Sequence, residues 1–445
     1  MSEKEFAEII INRALIKGAD EAEIYIKLSK NLSIEVKDQK IDAIESSHGI
    51  GYSLRILKGK KLGFSYSTDR SEIESVVDKA IEAAKCVDAD EYLELPTPNE
   101  ETKVEIFDPK IGLIKDEEAI KRVLILEKSA YDEDSRIKNI RKARGSFSKT
   151  EVIIKNSNGI DNQYLATTCT AQIMVMAENG NDKQMGWYFS GSRFLSEVSF
   201  ENVGREASRR ALQLLGSKRM NPQKAKILLD SLISTEFLGI FASLLSSENV
   251  QKGKSLLINK LGKTVISPKV NIIDNGILQG KIGSSPVDDE GVSCKEKTLI
   301  KEGVLLGYLY NTYTARKDGV SSTGNAVRRR FSCLPSVGIS NMYIEAVSKD
   351  YIIPLEDIFK SVDRCLYVTE AMGVHTANPV SGEFSVGVSG IWIENGEVAF
   401  PVNEAVISGN ILSFFGNIEA VGDDLRFFGN IGSPSILFGP TDISA

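Results

Sequence analysis

Residues 231–247, SLISTEFLGIFASLLSS, constrain this chain more than any other stretch. Phe237, Leu238, Phe241, Leu244 and Leu245 recur at helical spacing, and Ile240 and Ala242 fill much of the remaining surface. A helix apolar on most of its sides must be enclosed by other elements. It is far too short and too interrupted by serines to cross a membrane. The sequence therefore predicts a core helix around which a domain is built. Ser234 or Thr235 is placed to cap its start, and Glu236 would then sit in the first turn, where the helix dipole favours an anion.

A chain of 445 residues exceeds one ordinary core, so at least two domains are expected, divided near residue 220: an N-terminal α+β domain over 1–220 and a β-rich domain over 221–445. The net charge of −7 argues against an extended nucleic-acid surface. The N-terminal residues are charged from the start and carry no signal-peptide apolar core, so a cytoplasmic location is expected. Five scattered cysteines without a CxxC pair read as reduced thiols, and two histidines leave little material for a metal centre.

Along the first half, Ser2 and Glu5 have capping-box spacing ahead of a helical face at Phe6, Ile9, Ile10 and Ala14. Strand-like alternation follows at 22–28, 32–36, 51–57 and 61–65, then a helix opening at Asp69 or Ser71. Residues 87–110, acidic and carrying Pro96, Pro98 and Pro109, read as an exposed connection. A helix over 116–133 precedes strand-like runs at 136–147, 150–155, 163–178 and 183–193, with hairpin turns at Asn158-Gly159 and Asn179-Gly180. A helix from Ser199 ends at Gly216. Beyond residue 252, short strands, glycines and turns dominate, interrupted by one helix near 354–365. A largely antiparallel, barrel-like domain packed on the 231–247 helix is expected.

Four runs in this half carry a resemblance: GSSPVDDEGV (283–292), LIKEGVLLGYLYNTYTARKDGVSSTGN (299–325), VTEAMG (368–373) and IWIENGEVAFPVNEAVISGN (391–410). With the 231–247 helix, they make the chain similar to the TldD/PmbA (TldE) family of zinc metallopeptidases, and closest to its PmbA/TldE branch. In the TldD branch the resemblance implies His-Glu-x-x-x-His on this helix and a cysteine near the C-terminus. The matching ligand positions here are Thr235, Ile240 and Ile431, and the general-base position is Glu236. A catalytic zinc needs three donors and an open position for water. Isoleucine offers no donor atom, and one threonine cannot hold the ion. Without histidines five apart to bring to one metal, the helix has no need to distort.

The resemblance thus implies a non-catalytic subunit, inactive alone, with no metal of its own. A TldD-type partner would carry the zinc, and the pair would act on peptides or unfolded segments; a homodimer is possible without that partner. A stand-alone peptidase with an unusual metal site, or a non-proteolytic peptide-binding regulator, are the alternatives. Peptide contact by strand addition is expected near the central helix and the loops at 323–330 and 375–385, with Thr323, Gly324, Asn325, His375 and Ser381 as candidates.

Other candidates have plainer readings. Asp288, Asp289 and Glu290 form a carboxylate run that reads as a solvated turn rather than a cation site. Arg328, Arg329 and Arg330 read as salt-bridging residues of an acidic protein rather than an anion site. His48 and His375 read as surface residues. Ser284, Ser285 and Ser381 lack the His/Asp company of a nucleophile, and no phosphate-binding loop occurs.

Overall fold

The computed structural model describes residues 2–100 and 102–444. Six strands in the first half form one antiparallel sheet: β1 (Glu21–Lys37), β2 (Lys40–Lys58), β3 (Lys61–Ser67), β4 (Ile137–Asn156), β5 (Asp161–Asn179) and β6 (Asp182–Ser192), in the order β3-β2-β1-β4-β5-β6. The runs expected as separate strands at 22–28 and 32–36 are one strand of 17 residues, and 136–147 and 150–155 likewise fuse. The apolar alternation lapses at Lys30, but backbone pairing continues through it to His48 on one side and Lys149 on the other.

At about 3.3 Å per residue, 17 residues span roughly 56 Å, too far for one pair of helices to cover. Two pairs share the face. α1 (Glu3–Ile16) and α2 (Ile73–Lys85) bury Phe6, Ile10, Val77 and Ala80 on Ile24, Ile26, Tyr52 and Leu54. The capping box at Ser2 and Glu5 opens α1. After the short turn α3 (Pro109–Gly112), α4 (Asp116–Glu133) and α5 (Phe200–Leu212) bury Val123, Leu126, Val203 and Ala207 on Ile34, Ala143, Phe147 and Ile173. The connection from 87 to 108 is mostly exposed, as its prolines suggested, yet Leu95 and Ile106 are buried and pin it down; Glu101 lies outside the described residues.

In the second half, β7 (Gln223–Leu229), Arg364–Met372, Glu383–Glu394, Glu397–Asn410 and Ile436–Ser444 close into a five-stranded barrel, with Ile418–Val421 added at its side. A second six-stranded sheet runs Val304–Leu305, Glu296–Lys301, Val270–Asn275, Met342–Ala346, Ile431–Ser433, Arg426–Phe428. Pairing is antiparallel except between β7 and Arg364–Met372 and between Met342–Ala346 and Ile431–Ser433. The fold is α+β, with antiparallel sheets and a closed barrel.

α6 (Ser231–Leu244) lies in the core of this half. Phe237 meets Phe384 edge-on at 5.4 Å between ring centroids, and Phe241 meets Phe415 at 4.8 Å. Burying such rings stabilises by about 2–3 kcal/mol each. The helix starts and ends earlier than the sequence suggested. Asp230 caps it, accepting from the Leu232 amide at 2.9 Å. Ser234 and Thr235 lie inside it and donate back to the carbonyls of Leu229 and Leu232. The chain then turns at Leu245 into a separate short helix, Ser247–Gln251. The later helix is shorter than expected, Leu355–Lys360.

The two halves are joined by buried charge. Glu23 of β1 accepts from Arg55 of β2 (2.6 Å) and from Arg328 (2.6 Å), and Arg55 reaches on to Glu290 (2.8 Å). The expected solvated turn at 288–290 is therefore corrected: Asp288 is 6% exposed and Glu290 1%. Both Asp288 oxygens accept backbone amides, from Glu290, Val292 and Ala326. Burial alone would raise the Glu290 carboxyl, but Arg55 and the Thr312 amide hold it below its ordinary value. Of the three arginines, Arg328 makes the expected salt bridge, while Arg329 and Arg330 are exposed.

Candidate functional site

With Asp230 as cap, Glu236 falls in the second turn of α6, beyond the amides that the helix dipole acts through, so its first-turn reading is corrected. It lies instead on one face with Gly239, Ile240 and Ser243, at helical spacing i, i+3, i+4, i+7. This face forms one wall of a cleft of about 570 Å³. The opposite wall is the turn carrying Val374, His375, Ala377 and Pro379. Gly373 starts that turn with φ +90°, a conformation that favours glycine, and so aims the turn back over α6.

Beneath Glu236 lies a charge cluster that links α5 to the barrel. Arg210 is 7% exposed. It donates to both oxygens of Asp230 (3.2 Å), to Glu370 (3.3 Å) and to the Thr369 carbonyl. Glu236 has no direct bond to this cluster. Packed protein around its carboxyl group, followed by the charge of Glu370, pushes its pKa up to about 7, with Arg210 opposing. The residue still has access to water, so this desolvation comes from the concave surroundings rather than from enclosure. Glu370 is raised too, by burial first. A carboxyl group titrating near neutrality in a cleft can hold or accept a proton, and when ionised it can bind a cationic group.

Thr235 and Ile240, two of the positions that the resemblance matches to metal ligands, point about 140° apart on this regular helix, and the third, Ile431, lies against Gly239. Thr235 is buried, and its hydroxyl donates to the Leu232 carbonyl at 2.6 Å. Ile240 packs against the core. Ile431 reaches the same turn, its Cδ1 lying 3.3 Å from where a Cβ on Gly239 would stand. Residues 231–244 stay α-helical throughout. Among the described residues, no group of three His, Cys, Asp or Glu side chains is arranged to hold a metal ion.

Glu236 and His375 are brought together, on facing walls. The other groove candidates are elsewhere. Asn325 is buried; it donates to Asp274 and the Gly338 carbonyl (2.9 Å each) and accepts from Lys297 at 2.9 Å. Thr323 bonds to Tyr310, and Gly324 sits at φ +70° between them. These three residues hold a loop together and do not line the cleft. Ser381 is exposed beyond the cleft, its hydroxyl accepting from the Glu383 amide. Arg210, Asp230 and Glu370 were missed. Asp230, immediately before an apolar helical run, carries a readable capping signal; a buried arginine 20 residues upstream carries none.

The fold is a closed barrel packed on the buried helix α6, joined to a helix-covered antiparallel sheet. Models of the PmbA/TldA metallopeptidase family match in three segments: domain 1 over residues 22–84, the central domain over 109–215 and the C-terminal domain over 222–445. The chain belongs to this PmbA/TldA metallopeptidase family. It is 30% identical over 432 residues to the metalloprotease PmbA homolog of Buchnera aphidicola, covering 95% of this chain and 92% of that one. A Thermotoga maritima structure described as a candidate modulator of a DNA gyrase superposes with a TM-score of 0.91 at 26% identity, covering all of both chains. TldE from Thermococcus kodakarensis shares the fold, with a TM-score of 0.87 at 21% identity over 99% of this chain and all of that one.

The family name implies a metal. The side chains gathered here do not fit one. Two of the three positions end in methyl groups, and the hydroxyl of the third is committed to its own helix. His375 and Glu236 supply two donors from facing walls, one short of a zinc site's usual set.

Proposed function

We propose that this chain is the non-catalytic, PmbA/TldE-like subunit of a two-component peptidase that acts on peptides or unfolded segments, with the zinc held by a TldD-type partner. The observation that carries this reading is the Glu236 cleft. It carries Glu236, which the resemblance matches to a general base, and Ile240, which has no donor atom, at a position that the resemblance matches to a metal ligand. A glutamate with no metal-bound water beside it lacks the low-pKa nucleophile it would activate. The cleft's surviving shape supports a role in holding substrate or in completing the partner's chamber. No helix among the described residues is long and apolar enough to cross a membrane, which agrees with action on peptides in solution.

The test is to purify a TldD-type protein and this chain separately and assay peptide cleavage for each alone and for the mixture. The proposal expects chelator-sensitive cleavage from the mixture and none from this chain. Cleavage by this chain alone, or a mixture no different from the partner by itself, would reject it.

A further inference from the structure

The gap between the two helix pairs leaves one row of the N-terminal sheet uncovered. Lys30 of β1 stands directly opposite His48 of β2 and Lys149 of β4. Directly opposed residues point to the same face, here the helix-covered one: the next row on one side is Leu28 with Ile50 and Glu151, followed by Ile26 with Ile153, and on the other Leu32 with Phe147. The row floors a groove of about 480 Å³, flanked by Leu28 and Ile50 and overlooked by Arg70. Like charges placed opposite one another in a sheet are destabilising. Here no salt bridge among the described residues offsets them. Among the described residues, Lys30, His48 and Lys149 have no carboxylate partner; Lys149 rests over the Phe107 ring at 5.7 Å, and Arg70 pairs with Glu3. The one acidic residue in the groove, Glu151, accepts from Gln163 at 2.6 Å. Lys30 and Lys149, neither of them in a salt bridge among the described residues, outnumber Glu151, whose bond to the neutral Gln163 amide leaves its charge in place, and in a chain of net charge −7 this local surplus of positive charge suits an anionic occupant.

The geometry points to a docking site for an extended acidic segment of a peptide or unfolded protein across this row. Lys30 and Lys149 stand on adjacent strands about 4.8 Å apart and His48 one strand further, so the row runs roughly 10 Å across the sheet and has room for more than one carboxylate. An extended chain places alternate side chains about 7 Å apart on one side, so carboxylates at i and i+2 reach both ends of the row. Leu28 and Ile50 offer apolar contact to the residues next to them. The site goes beyond the subunit reading and stands without it, because binding needs neither metal nor partner.

The test titrates the full chain with a short labelled peptide alternating Glu and Ser, with its Gln-for-Glu counterpart and with inorganic phosphate. The Glu peptide should bind about tenfold or more tighter than the Gln peptide, weaken as salt is raised, and lose that advantage in Lys30→Glu/Lys149→Glu. Lys30→Gln/Lys149→Gln, which removes charge without reversing it, should melt like the wild type and bind the Glu peptide several-fold more weakly. Equal binding of the two peptides, or full affinity in the Gln variant, would overturn the site. Phosphate binding as tightly as the Glu peptide would overturn the assignment to a peptide.

Discussion

Replacing Arg328 with Met should destabilise the native protein by about 3–5 kcal/mol, the cost of removing one partner from a fully buried ion pair. The magnitude follows from what the side chain does. Its Nη2 donates to Glu23 at 2.6 Å, its Nη1 to the Cys333 carbonyl at 2.9 Å and its Nε to the Asp289 carbonyl at 3.2 Å. Its guanidinium lies 4.9 Å from the Tyr25 ring centre. The Arg328 side chain is 1% exposed and that of Glu23 0%, so water cannot take over. In the variant, Glu23 and Glu290 must share Arg55 alone. Removing the stranded charge as well, in Glu23→Gln/Arg328→Met, leaves the balanced pair Arg55–Glu290 and should recover on the order of 2 kcal/mol. Chemical unfolding followed by tryptophan fluorescence reads both halves, since Trp187 lies in β6 and Trp392 in the barrel. An Arg328→Met loss below about 1 kcal/mol, or a double variant no better than the sum of its singles, would refute the reasoning.

Two further outcomes are expected. The Glu236 carboxyl has a folded-state pKa of about 7, above its ordinary value, so the native state favours the protonated form. Stability should therefore fall as pH rises from the normal carboxylate range to about 7. Glu236→Gln should shrink that fall, to which the raised carboxyls of Asp288, Asp289 and Glu370 still contribute, gaining about 1 kcal/mol above neutrality, after allowance for the residue's exposure, and little at pH 4, as melting across a pH series would read. Gly204→Ala should cost about 1–3 kcal/mol in denaturant unfolding, because a Cβ there would lie 2.2 Å from Ser129 Oγ and 2.3 Å from the Leu126 carbonyl, where α5 crosses α4.

Local signals in the sequence served well. Helical faces gave α1, α2, α4 and α5, and the Asn-Gly pairs at 158–159 and 179–180 gave two hairpin turns of the first sheet. Both signals act within a few residues. Failures came where distant partners override local chemistry. Lys30 looks like a strand end because its side chain breaks the apolar pattern, but strand continuity is set by backbone pairing, which is indifferent to that side chain. Asp288-Asp289-Glu290 looks solvated until Arg55, 235 residues earlier, supplies the counter-charge. The Glu236–His375 cleft was half legible: both residues stood out, but Arg210 and Glu370, which shape its electrostatics, are ordinary charged residues until the fold buries them. Thr323, Gly324 and Asn325 looked like a binding turn because turn chemistry and ligand chemistry use the same residue types.

The 235–240 turn and residue 431 offer a divalent cation too few donors. The most direct measurement is zinc content per chain after metal loading and desalting, for the wild type and for Thr235→His/Ile240→His/Ile431→Cys. Wild-type protein should be essentially free of zinc, with a measurable gain in the triple variant. Stoichiometric zinc in the wild type, held as tightly as in the variant, would contradict it.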